Sequence, residues 1–142
     1  MIVEDRLSQQ NLSAWYNLRQ QLETAADPLG DVTNFFQRLP RVKRYTDPYD
    51  ENTWPTPWEL ITENEYCDFN RILGMCYTLQ LTERFKNCHP TINVAIDRIN
   101  KTVYYLLLVE DKVYGYDDDW INVKTLPKSL KSQKIYAMKT LH

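Results

Sequence analysis

A chain of 142 residues is long enough to bury a core in one domain, and 43% hydrophobic with 25% charged residues is the balance of a folded globular protein. A formal net charge of -2 lacks the basic excess of a dedicated nucleic-acid binder. The longest apolar run, residues 103–109, is strand-sized and too short for a membrane span. The opening MIVEDRLSQQ is acidic and polar where a secretory signal is basic and then apolar, so export is not expected. Cys67, Cys76 and Cys88 have no paired spacing and suit free thiols in a reducing compartment. With no C-x-x-C and only His89 and His142 as imidazoles, no metal or other cofactor is expected. Aromatics are abundant, ten Tyr and four Trp, whereas Gly is scarce at three, so turns must lean on Asn, Asp and Pro.

Residues 8–25 read as a helix, with Leu12, Trp15, Tyr16, Leu18 and Leu22 near one side. Asp27-Pro28-Leu29-Gly30 reads as its stop, and Asp31 as the cap of a short second helix carrying Val32, Phe35, Phe36 and Leu39, closed by Pro40. Arg38, Arg41, Lys43 and Arg44 then form a basic run, either a solvated loop or edge segment or a patch for anions. Residues 45–55 are a loop. Thr56-Pro57-Trp58-Glu59 starts another helix: Thr56 is the N-cap, Pro57 takes the first turn and Glu59 completes a capping box. Trp54 and Trp58 serve either as wall packing or as exposed anchors for a partner.

A long helix runs from Cys67 or Asp68 to Phe85, with Phe69, Ile72, Leu73, Met75, Cys76, Leu79 and Leu81 making a face broad enough for burial on more than one side. Gly74 inside it costs roughly 1 kcal/mol against Ala, which a close approach by a strand would explain. Beyond Pro90 the period becomes that of strands. Ile92, Val94 and Ile96 alternate with polar or small residues, and Asn100-Lys101 turns the chain. Residues 102–109 form a strand covered on both faces. Residues 113–116, 120–123 and 135–138 supply shorter strands. The architecture expected is α+β, with N-terminal helices and one central buried helix on an antiparallel β-meander, divided into a helical segment, 1–30, and a domain, 31–142.

A cysteine at a helix N-terminus has its thiolate favoured by free backbone N–H groups and the helix dipole. Cys67 stands there, as a nucleophile does if a histidine base and an orienting carboxylate reach it. The order Asn34-Phe35-Phe36, Arg44-Tyr45-Thr46-Asp47, Trp54-Pro55-Thr56-Pro57-Trp58-Glu59 and Tyr66-Cys67-Asp68-Phe69 resembles the bacterial transglutaminase-like cysteine proteinases, over about two thirds of the chain. The resemblance puts Cys67 in the nucleophile's place, Tyr104 near the place of the histidine, and Asp117 in the aspartate's place. The segment YYLLLVEDKVYGYD is similar to the family's later strands. The departures are specific. Glu65-Tyr66 replaces the family's Gly-Asp before the cysteine, and tyrosine stands where histidine belongs. His89 lies at the other end of the long helix, about 30 Å away at 1.5 Å per residue, and His142 is the last residue.

Loss of a triad member costs about 10⁴-fold in acyl transfer. The expectation is therefore an inactivated scaffold in which Cys67 is a free thiol and no residue is catalytic. The pattern W-P-x-P-W-x-L-I with Y-T-L-x-L is similar to small proteins of large tailed phages. That resemblance implies a non-catalytic virion or assembly component in the virion or host cytoplasm. Its partners would be other protein subunits rather than nucleic acid or membrane, met through Trp54, Trp58, Arg41, Lys43 and Arg44. Two alternatives stand beside it: a thiol peptidase or amidase using Cys67, and a regulator that binds a host protein through its basic run.

Overall fold

The structure, a computed structural model, describes residues 2–41 and 46–138, with side chains from Leu7 onward. Four helices precede five strands: α1 (Ile2–Leu22), α2 (Pro28–Gln37), α3 (Pro57–Glu63) and α4 (Asp68–Gln80), then β1 (Thr91–Asp97), β2 (Val103–Val109), β3 (Lys112–Tyr114), β4 (Ile121–Asn122) and β5 (Leu130–Ala137). All strand pairs are antiparallel and lie in the order β4-β3-β2-β1-β5. The first four strands make the expected meander; β5 then returns past them to pair with the free side of β1.

Alternation along the strands sorts the core into two sides. Ile92, Val94, Leu107, Val109 and Tyr136 join the helices in the main core. Ala95, Leu106 and Val113 face the other way, under Tyr104, Leu108, Tyr116, Ile121, Val123, Leu126 and Leu130. The strand read as covered on both faces is thus β2, at the centre of the sheet. A shift of register against β5 between Val94 and Ala95 is a bulge, which bends the strand locally.

The helices form where local chemistry starts and stops them, with two changes from the expectation. Asp27-Pro28 is a start, not a stop: Asp27 is the N-cap of α2, its Oδ1 accepting from Gly30 N at 3.2 Å, and Pro28 sits in the first turn where its missing N–H costs nothing. α4 ends at Gln80, where Leu81 N bonds back to Tyr77 O and Thr82 N to Leu79 O; residues Glu83–Phe85 form a separate 3₁₀ turn. The expected capping box of α3 is present, Thr56 Oγ1 accepting from Glu59 N at 3.2 Å and Glu59 Oε1 from Thr56 N at 2.9 Å. These bonds hold the Glu59 carboxyl below its ordinary pKa. Asn64, with φ 54, ends α3 in the left-handed region and turns the chain towards α4.

α1 packs into the same core as α4. Trp15, Leu18 and Leu22 are buried, and Trp15 Nε1 donates to Thr78 Oγ1 at 2.8 Å, while that hydroxyl donates to Gly74 O at 2.7 Å. Arg84 donates to the carbonyls of Leu22 and Ala25, satisfying acceptors that the end of α1 leaves open. Gly74 is approached by a ring and not by a strand: a methyl there would overlap the buried Phe36 side chain of α2. Trp54 is also a wall residue, its ring 5.0 Å from Phe69 and 4.7 Å from Tyr136 and its Nε1 donating to Asp47 O at 2.9 Å. The fold therefore sets the start of α4 between α2 and the open ends of β2 and β3.

Candidate active site

Cys67 is the N-cap of α4. Its backbone is extended at φ -77 and ψ 173, its carbonyl accepts from Arg71 N at 3.1 Å, and its side chain makes no capping hydrogen bond. The thiol is therefore not committed to closing the helix, and it lies half-buried at the edge of the main core. The residue before it, Tyr66, is wholly buried and bridges in parallel to Arg41, which brings the chain after α2 alongside the start of α4. Arg41 Nη1 stands 3.5 Å from Asp68 Oδ1, a pair with both side chains about 70% exposed and so worth little to stability. One turn further, on the face shared by positions four apart, Arg71 Nη2 donates to Leu39 O at 2.8 Å.

Arg41, Asp68 and Arg71 border a cleft of about 540 Å³; Cys67 is not among its lining residues and adjoins it through its chain neighbour Asp68. One wall is Arg41, Asp68 and Arg71; the floor is Phe36, Ile72 and Met75; the far wall is the start of β2, the last residue of β3 and residues 115–118 after it. Burial lowers the pKa of Arg71, and the neighbouring Arg41 charge lowers it further, while Asp68 opposes both. Burial pushes the Tyr66 phenol well above its ordinary value. The Tyr66 hydroxyl and Arg71 Nε are both buried without a hydrogen-bond partner.

The sequence-predicted positions are distributed unevenly around this cleft. Tyr104 and Asp117 both line it. Within β2, however, Tyr105 is the tyrosine turned to the helix side, 5.4 Å from Phe69, whereas Tyr104 packs 5.0 Å from Tyr116 on the opposite face. Asp117 is exposed, and its Oδ1 accepts from Asp118 N at 2.8 Å. Arg41 is at the rim; Lys43, Arg44 and His142 lie outside the described residues. Trp58 is half-exposed and stands edge-on to Trp15 at 6.0 Å, away from the cleft, and Trp54 is committed to the core. His89 follows the far end of α4, at φ 47. Arg71 escaped the sequence reading because it interrupts an apolar helix. Its signal was its spacing, four residues after Cys67.

An antiparallel sheet, a buried helix laid on it with a cysteine at that helix's N-terminus, and a cleft running to the ends of the adjacent strands together make up a transglutaminase-like fold. No family model matches the chain, and no curated protein matches it in sequence. Among solved structures the chain is similar to Legionella pneumophila LapG. The calcium-bound form has a TM-score of 0.68 at 17% identity, covering 94% of this chain and 81% of LapG. A second LapG structure has a TM-score of 0.67 at 17% identity, covering 93% and 77%. An EGTA-treated one has 0.66 at 18%, covering 91% and 73%.

LapG is a transglutaminase-like cysteine protease, so the expectation of a non-enzyme is corrected: these three similar structures are those of an enzyme. That expectation rested chiefly on the missing histidine, and a missing base weakens a thiol catalyst without removing its nucleophile. Nothing in these likenesses supports a virion or tail-assembly role. One of the LapG structures holds calcium. Among the described residues here, no three His, Cys, Asp or Glu side chains gather in a way that could hold an ion, so they offer calcium no such ligand set.

Proposed function

We propose that the chain is a cysteine-dependent amide hydrolase, a peptidase or amidase, with Cys67 as its nucleophile. The observation that carries this reading is the place of Cys67: an uncommitted thiol at the N-cap of the buried helix, one residue from the Asp68 wall of a cleft, in a fold shared with LapG. The thiolate sulfur attacks the substrate carbonyl carbon, and the resulting oxyanion lies by the first N–H groups of α4. Collapse breaks the C–N bond, the amine leaves with a proton from solvent, and water then hydrolyses the thioester and returns the thiol.

Among the described residues no imidazole stands at this end of α4. Proton transfer is therefore the weak step, and turnover about 10⁴-fold below that of a complete triad is expected. Substrates with good leaving groups should outrun plain amides by the same logic.

The test follows alkylation of the native protein by iodoacetamide from pH 5 to 10, with peptide mapping, beside acyl-enzyme formation from a p-nitrophenyl ester. Cys67 should label fast near neutral pH, and Cys67→Ala should abolish the covalent acyl adduct. Labelling of Cys67 only after denaturation, or an acyl adduct unchanged in Cys67→Ala, sinks the reading. Replacing His142 with Gln in the same assay reports whether that imidazole takes part.

A further inference from the structure

We propose that the cleft beside Cys67 selects substrates that carry a carboxylate, held by Arg71 and Arg41 and turned away from Asp117 and Asp118. This deepens the hydrolase reading and rests on it for the fate of the bound molecule.

The starting point is an uncompensated cation. Arg71 spends Nη2 on the Leu39 carbonyl, and its Nε is buried with no hydrogen-bond partner. Asp68, the one carboxylate whose charge bears on it, is paired with Arg41 instead. Among the described residues Arg71 forms no ion pair, and its charged neighbour Arg41 repels it. A partly desolvated guanidinium beside a like charge is unfavourable until an anion neutralises it, and a planar guanidinium suits a carboxylate best through two parallel N–H donors. Close by, the Tyr66 hydroxyl is wholly enclosed, lacks a partner and lies within the field of Arg71.

The rest of the cleft sets orientation. Its floor of Phe36, Ile72 and Met75 accepts an aliphatic stem. The opposite wall presents Asp117 and Asp118, both exposed, which repel a carboxylate entering the wrong way round. A volume of about 540 Å³ is within the ordinary range for a ligand pocket and takes a short peptide segment rather than a folded surface.

The full chain bearing Cys67→Ser, which suspends chemistry, is titrated at low salt with two peptides, N-acetyl-Ala-Glu-amide and N-acetyl-Ala-Gln-amide, by calorimetry or NMR. The glutamate peptide should bind at least about tenfold tighter, with the preference shrinking as salt screens it. Arg71→Gln should remove the preference and Arg41→Gln should reduce it severalfold. The Arg41 side chain is 70% exposed, so that variant keeps its fold even if Arg71→Gln loosens the Leu39 contact. Equal affinity for the two peptides overturns the proposal, as does a preference that both arginine variants retain. Because no turnover is read, an unreactive Cys67 would sink the hydrolase reading while leaving a measured carboxylate preference standing. A reactive Cys67 without that preference would sink only this proposal.

Discussion

The two halves of α4 share one helix and almost nothing else. The first turn carries Asp68, exposed, and Arg71, half-buried, along a cleft, with unsatisfied polar atoms on Arg71 and on Tyr66 just before it. From Ile72 to Gln80 every residue is buried, and polar groups there are paired: Thr78 with Trp15 and with the Gly74 carbonyl, Tyr77 with Pro55 O at 2.7 Å. Two cysteines mark the contrast. Cys67 is half-buried at the open end, while Cys76 is enclosed in the sealed half, where burial drives its thiol pKa far up. The lesson is that the open end can carry unmet polar groups because the other end anchors the helix.

That contrast can be broken most severely from the sealed side. Trp15→Ala removes a large buried ring and leaves Thr78 without its donor, and a loss of about 3–5 kcal/mol is expected in urea unfolding. If the loss is below about 1 kcal/mol, α1 does not anchor α4. Gly74→Ala is the next in size: gaining helix propensity does not offset overlap with Phe36, whose own ring is hemmed in by Phe35 and Tyr66. Overpacking should cost about 1–3 kcal/mol, and a stabilised variant would mean that the ring moves aside. The smallest effect concerns Cys88, beyond the end of α4. Burial, then its bond to Glu110 Oε1 at 3.1 Å, pushes this thiol from 9.0 up to about 11. The folded state holds that proton more tightly than the unfolded chain. The contribution is therefore whole below about pH 9 and is lost as pH climbs through about 11. Melting temperature should fall across that window, and Cys88→Ala should flatten the fall.

Much of this was legible because it is local. The Thr56–Glu59 box and the start of α4 at Cys67 are written in neighbouring residues and found there, and so is the alternation of β1 as far as Val94; past the bulge Ala95 and Asp97 are buried and Ile96 is only half-buried. What escaped was non-local or two-sided. Asp27-Pro28 fits the end of one helix as well as the start of the next, and only packing decides. β5 was read as residues 135–138 because just one of its eight residues, Tyr136, is buried; its length comes from pairing with β1, which no pattern of its own announces. At the site, Cys67 was visible by type and position, while Arg71 looked like an interruption and Tyr105 like one of two equivalent tyrosines. Distinguishing Tyr105 from Tyr104 requires knowing which face of β2 meets the helices.

The late return of β5 has a consequence for any shortened form of the protein. β1 has β2 on one flank, and its other flank is closed only by residues from the last tenth or so of the chain. The outer rim of β5 carries Lys131 and Lys134, charges that discourage another strand from docking there. A nick or stop ahead of Leu130 would strip away that guard and leave the bare backbone of Thr91–Asp97 as a template for sticking molecules together.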